Sequence, residues 1–280
     1  MKMSVKKRSI LLLGESNVGK THYGAQFLKR LYVGDNALKL NGAPTNVQPF
    51  EDAMNSLSAG RATGHTPTST YVESIWPIVD QSNRPAEMIW PDYGGEQIRT
   101  LIADREIPSP WRDRVLSATD WVLLIRLHTM HTADDVFSRP LTKLGAPEVE
   151  GVQHEPSDQA RLIELLQMLL HIAGIGRDSV LEIPTLTVLL SCWDEMGLLA
   201  NPRAALCGQL PMLTSFIEAT WRSPTIMGLS ALEKPLSQTG TDKDYTIRGP
   251  EQFGFVILPD GTQTRDITVP VQFLIASAAL

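Results

Sequence analysis

Eight successive residues carry the strongest chemical signal in the sequence: Gly14, Glu15, Ser16, Asn17, Val18, Gly19, Lys20 and Thr21. Glycine at the first and sixth positions lets the backbone curl so that successive N–H groups point at one anion. A short apolar run at 10–13 precedes the loop, and Tyr23, Phe27 and Leu31, spaced by four, follow it. These read as a buried strand and a helix over 21–31, so the loop opens onto a helix N-terminus with its partial positive charge. Lys20 would reach the terminal phosphates of a nucleotide and the Thr21 hydroxyl would ligate Mg2+, as in G-x-x-x-x-G-K-[ST] loops. Gly14, Ser16, Asn17, Val18, Gly19, Lys20, Thr21 and the adjoining His22 are the candidate phosphate contacts.

Three other clusters stand at the ends of apolar runs. Met88-Ile89-Trp90-Pro91 leads into Asp92, Tyr93, Gly94, Gly95, Glu96 and Gln97. A carboxylate at a strand end can hold Mg2+ through water, and the Gly95 N–H can approach a γ-phosphate unobstructed, although a plain turn uses the same residue types. Ser191, Cys192, Trp193 and Asp194 close a second run. A carboxylate there accepts both the ring N–H and the amino group of guanine, a pairing that adenine cannot match; the alternative is an Asp that caps a helix. Ser230, Ala231 and Leu232 follow a third run, where the Ala231 N–H would bind the guanine oxygen.

In this order the four clusters resemble the motifs of the Ras-like, translation-factor-related GTPases. Gly14 to Thr21 is similar to their phosphate loop, Asp92 to Gly95 to their Asp-x-x-Gly motif, Ser191 to Asp194 to their [Asn/Thr]-Lys-x-Asp motif, and Ser230-Ala231 to their Ser-Ala motif. The resemblance implies a P-loop G domain binding GTP and GDP, with slow hydrolysis to GDP and phosphate. Mg2+ would be held by Thr21, Asp92 and a switch threonine. Thr68 in Thr66-Pro67-Thr68 resembles that threonine, with Thr66 and Thr70 as alternatives and a plain polar loop as the other reading. Lys20, Thr68, Gly95, Glu96 and Gln97 are the catalytic candidates.

The stretch from Gly254 through Asp260-Gly261 to Pro270 is similar, more narrowly, to bacterial double-GTPase proteins. Those are predicted components of multi-gene conflict or defence systems, working beside a second GTPase-like protein. The resemblance therefore implies a protein partner, either an effector or that second GTPase-like chain.

Three residues depart from the pattern. Glu96 stands where many relatives place a water-orienting Gln, with Gln97 one position late; Cys192 replaces the Lys whose stem packs over the base; Ser191 replaces Asn or Thr. These departures keep a second reading open, a pseudo-GTPase that serves as an interaction module. An ATP-using P-loop enzyme is a third, but it leaves Asp194 without a role. Asn17 occupies the position at which potassium-dependent GTPases carry an Asn, so its side chain would ligate K+; the alternative is an Asn that stabilises the turn.

The elements that must position these residues follow from periodicity and turn chemistry. The spacing predicts strands over 10–13, 121–127, 184–190 and 225–229, and a hairpin from 71–79 and 86–90. Helices are expected at 96–104, from 109 to before 120, at 157–172 with Ser157 as N-cap and Gly174 or Gly176 as stop, and at 203–221 with a kink at Pro211. A weak helical patch lies at 51–57, and 128–156 reads as a long insertion. Runs 255–258 and 267–275 around Pro259-Asp260-Gly261 suggest a terminal hairpin, with Pro270 at an edge. The expected architecture is α/β: a mixed, mostly parallel sheet with helices on both faces, plus that C-terminal β-hairpin. One enlarged G domain would span 1–280, its core at about 8–232 and an extension at 233–280.

Composition narrows the function classes. The chain has 280 residues, 42% of them hydrophobic, enough for a sizeable core. Twenty-five Lys and Arg against thirty-one Asp and Glu give a net charge of −6, which argues against a nucleic-acid or anionic-membrane surface. Two cysteines and no long apolar run argue for a reduced, cytoplasmic protein without membrane insertion. His128, His131 and His154 with Asp134 and Asp135 lack metal-site spacing and read as surface loop. Arg99, Arg105, Arg112 and Arg114 read as cover on two helices, with an internal arginine finger as the alternative.

Overall fold

A computed structural model describes residues 8–33, 35–64, 72–92, 96–131, 157–175, 180–197 and 201–277. In chain order they form β1 (Arg8–Gly14), α1 (Lys20–Val33), β2 (Leu38–Leu40), α2 (Gln48–Ser58), β3 (Val72–Asp80), β4 (Pro85–Asp92), α3 (Glu96–Asp104), α4 (Ser109–Ser117) and β5 (Asp120–Ile125). There follow α5 (Asp158–Ile172), β6 (Thr185–Ser191), α6 (Pro202–Gln209), α7 (Pro211–Thr220), β7 (Thr225–Ser230), α8 (Lys243–Arg248), β8 (Phe255–Ile257), β9 (Gln263–Thr264) and α9 (Val269–Ser277).

The strands make one sheet in the order β2-β3-β4-β1-β5-β6-β7-β8-β9. Its centre, β4-β1-β5-β6-β7, is parallel, and antiparallel pairs flank it at both edges. Continuous apolar runs are what a sheet covered on both faces requires, and side-chain alternation divides them between two cores. Leu11, Leu13, Leu123, Ile125, Val188 and Leu190 join Leu162, Leu166, Leu206 and Leu213 from α5, α6 and α7 on one face. Ile10, Leu12, Val122, Leu124, Leu189 and Leu229 join Tyr23 and Phe27 from α1 and Val271 and Leu274 from α9 on the other. Gly24 permits the packing of α2 on α1, since a Cβ there would lie 2.4 Å from a Phe50 ring carbon.

The expected mixed α/β sheet is present, and the Ser157 hydroxyl caps α5 by accepting the Ala160 N–H at 3.4 Å. The C-terminal hairpin differs from expectation. Its second strand is Gln263–Thr264, and the apolar run that follows is the helix α9. A short all-apolar run fits a buried helix as well as a strand. Asp266 decides between them by accepting the Thr268 N–H at 2.8 Å and its hydroxyl at 2.6 Å, and Pro270 is tolerated in a first helical turn. The expected helix at 203–221 is two helices broken at Leu210, because Pro211 cannot continue the hydrogen-bond ladder. The patch at 51–57 lies within α2, and the strand expected at 121–127 is Asp120–Ile125 with a 3₁₀ turn after it. The short β2 and α8 were not expected. Most of the 128–156 insertion lies outside the described residues.

Candidate functional site

The parallel strands end along one edge of the sheet, and β1, β5, β6 and β7 each deliver a segment there. After β1 the phosphate loop closes tightly. A Cβ on Gly14 would lie 2.9 Å from Val18 Cγ2 and 3.3 Å from Leu124 Cβ, so the strand must end on glycine. Asn17 and Gly19 have φ of 62° and 80°, the left-handed region that Gly and Asn enter most readily. Lys20 Nζ donates to the Gly14 carbonyl at 2.9 Å and the Glu15 carbonyl at 2.6 Å, which holds its charge over the loop. Glu15 is buried, and Arg161 of α5 donates to both its carboxylate oxygens at 2.6 and 2.9 Å. That pairing pushes the Arg161 pKa up, and Asp158, 2.7 Å away, adds to it.

The other end of the site is built after β6 and β7. Cys192 has φ of 52°, and residues 193–196 form a 3₁₀ turn. Trp193 fills the space above Gly228, where a Cβ would lie 2.6 Å from the indole. This seats Asp194 beside Ser230, whose hydroxyl donates to Asp194 Oδ1 at 2.5 Å and accepts the Glu233 N–H at 2.8 Å. The carboxylate is therefore oriented before any ligand arrives. Arg126, directly after β5, donates from Nε to Glu195 Oε2 at 2.9 Å and from a terminal nitrogen to the Asn17 carbonyl at 3.2 Å.

A cavity of about 650 Å³ joins the two ends. Ser16, Asn17, Gly19, Lys20, Thr21 and His22 line one side of it, and Ser191, Cys192, Asp194, Ala231 and Leu232 another. Gly14, Val18 and Ser230 are buried behind these walls. Asp92 ends β4, beside β1; its side chain and those of Glu96 and Gln97 lie outside what is described, as do Thr66, Thr68, Thr70 and Gly95 entirely.

Two walls carry no motif and were missed in the sequence. Ala62, Thr63 and Gly64 form one, and Lys234, Pro235, Leu236 and Gln238 the other. They are tied together: Ala62 N–H donates to the Ser237 carbonyl at 3.0 Å, and Asp242 N–H to the Gly60 carbonyl at 2.8 Å. His22 fastens the first wall to α1, its Nε2 accepting the Thr63 N–H at 3.2 Å. Burial pushes the His22 pKa down to about 4, so the ring is neutral and can accept. Lys234 lies 2.8 Å from Asp242 and over the stacked rings of Tyr245 and Phe253. Arg126 and Glu195 were missed too; the signal was Arg126's place at a strand end.

Arg105 pairs with Glu164 at 3.1 Å, Arg114 pairs with Glu73, Arg112 is exposed, and none of the three lines the cavity. The Arg99 side chain lies outside what is described. His128 and His131 are exposed, and among the described residues no cluster of His, Cys, Asp and Glu is suited to a metal; His154, Asp134 and Asp135 lie outside them. Both cysteines are free thiols. No described helix is long and apolar enough to cross a membrane.

A phosphate loop and an oriented carboxylate at the C-terminal edge of a mostly parallel sheet define a P-loop G-domain fold. The chain belongs to the Double-GTPase 1 family, whose model matches residues 11–274. Among solved structures it is similar to a bacterial selenocysteine-specific elongation factor, EF-Sec, with 14% identity and a TM-score of 0.37 over 81% of this chain and 26% of that one. It is also similar to the GDP-bound RocCORdC portion of Roco2 from Methanosarcina barkeri, with 15% identity and a TM-score of 0.34 over 82% and 45%. The chain thus spans less than half the length of either. No curated protein matches it.

Proposed function

We propose that this chain is a guanine-nucleotide switch that uses Mg2+, hydrolyses GTP slowly and reports its nucleotide state to a partner protein. The observation that carries this reading is the Asp194–Ser230 pair, held at one end of the cavity whose other end is the Lys20 phosphate loop. Asp194 would accept two donors from guanine, and adenine would leave the carboxylate facing an acceptor. Lys20 and the loop N–H groups would hold the β- and γ-phosphates.

Thr21 lies beside Lys20 on the cavity wall, which suits a hydroxyl ligand, so Thr21 with Asp92 and Thr68 would hold Mg2+. The ion's chemistry there is charge neutralisation between phosphate oxygens. Thr68 and Gly95 would sense the γ-phosphate, and Glu96 or Gln97 would orient water. The positive φ of Asn17 is itself a sufficient reason for Asn at that position, so the reading keeps Mg2+ and omits K+. The chain would act as a single G domain, since β8 and β9 extend the same sheet and α9 fills the same core, and its two free thiols suit a reducing cytoplasm. Its partner would be a second GTPase-like protein of a bacterial conflict or defence system, on the strength of the family membership and the resemblance of its C-terminal stretch.

Denaturing freshly purified protein should release a guanine nucleotide, and phosphate release from GTP should exceed that of a Lys20→Ala control. No nucleotide and no excess phosphate would favour an interaction module instead.

A further inference from the structure

The motif that presents Asp194 has Cys192 where the resembling GTPases carry a lysine. The Cys192 sulfur lies 3.8 Å from where a Cβ on Gly19 would stand, so it packs against the phosphate loop. Burial pushes its pKa up to about 11, so it does so as a neutral thiol. The motif has lost its cation, but the wall has not. Arg126 enters from the neighbouring strand β5 and lines the cavity with Asn17, Cys192 and Asp194. It binds both carboxylate oxygens of Glu195 and, at 3.2 Å, the Asn17 carbonyl. The other described cations lining the cavity are engaged elsewhere: Lys20 on loop carbonyls and Lys234 with Asp242.

We propose that Arg126 is a nucleotide-positioning residue that supplies from β5 the cation the motif has lost, fastening phosphate-loop residue 17 to the turn that carries Asp194. This rests on the guanine-nucleotide reading above. One guanidinium can do this because its rigid fork spans two partners from different segments, which an ammonium on a flexible stem does less well. It also neutralises Glu195, whose charge would otherwise lie beside Asp194 and repel incoming phosphates. The pair is partly exposed, with side-chain exposures of 27% and 20%, so its main contribution is geometry rather than fold stability. Loss of Arg126 should therefore free the two ends of the site to separate and let nucleotide escape faster.

The test is release of a fluorescent GDP analogue from the full chain in Mg2+, chased with GDP. Arg126→Ala should release it about tenfold faster or more, while the nucleotide-free protein melts close to wild type. Glu195→Gln, which keeps the side-chain shape but weakens the fork, should speed release by a smaller factor. Adding Cys192→Lys to Arg126→Ala should slow release again, because it returns a cation beside the phosphate loop. Wild-type release rates in Arg126→Ala, or in Glu195→Gln should Arg126→Ala fail to fold, overturn the proposal, as does a double variant no slower than Arg126→Ala. A wild-type chain that binds no guanine nucleotide ends both readings; tight wild-type binding with any overturning result ends this one alone.

Discussion

On the proposed reading Asp194 would discriminate between bases because its own orientation is settled beforehand by the Ser230 hydroxyl and, behind it, the Glu233 N–H. A carboxylate that must be ordered by its ligand charges that ordering against affinity; this one does not. Asp194→Asn replaces an acceptor with a donor at the guanine amino group or ring N–H. GTP affinity should fall roughly a hundredfold while the weak affinity for ATP stays unchanged, read by competition against a fluorescent nucleotide. An equal loss for both nucleotides would mean that the residue acts on the fold rather than the base. Asp194 and Ser230 were readable in the sequence because each stands at the end of an apolar run. The Arg126–Glu195 pair was not, since its partners come from segments 69 residues apart and no local pattern joins them.

At the scale of elements, the central strands and the phosphate loop were legible because each carries its own signal: continuous apolar runs, a loop with two obligatory glycines, Ser157 ahead of a periodic helix. The remaining elements take their form from distant contacts. β2 has three residues and is a strand because β3 pairs with it, and α9, an apolar run that local pattern leaves undecided, packs Val271 and Leu274 into the core shared with β1 and α1. The wall at residues 60–64 is the functional case. Gly60 has φ of 69°, and a Cβ there would lie 2.3 Å from the Asp242 carbonyl oxygen. Gly60→Ala should therefore push this wall off the loop at 236–242. It should cost about 2 kcal/mol in urea unfolding and speed nucleotide release, although no motif residue changes. Unchanged release would show that this wall does not hold the ligand.

For the molecule as a whole, the site joins the ends of four strands to the C-terminal extension, so on the proposed reading nucleotide occupancy would be felt on surfaces far apart in sequence. His22 links the phosphate-loop helix to Thr63, at the threshold of the threonine-rich stretch that the family resemblance reads as a switch. A γ-phosphate contact in that stretch and in the stretch after Asp92 would order both surfaces. Amide hydrogen exchange should be slower with a non-hydrolysable GTP analogue than with GDP across residues of about 60–71 and 93–106. Identical exchange in the two states would remove the switch from the account. Beneath the switch lies selection of guanine by this cavity, which titration calorimetry of the nucleotide-free chain measures. GTP binding should require Mg2+ and be much tighter than ATP binding; ATP bound as tightly as GTP, or more tightly, would mean that the cavity does not select guanine.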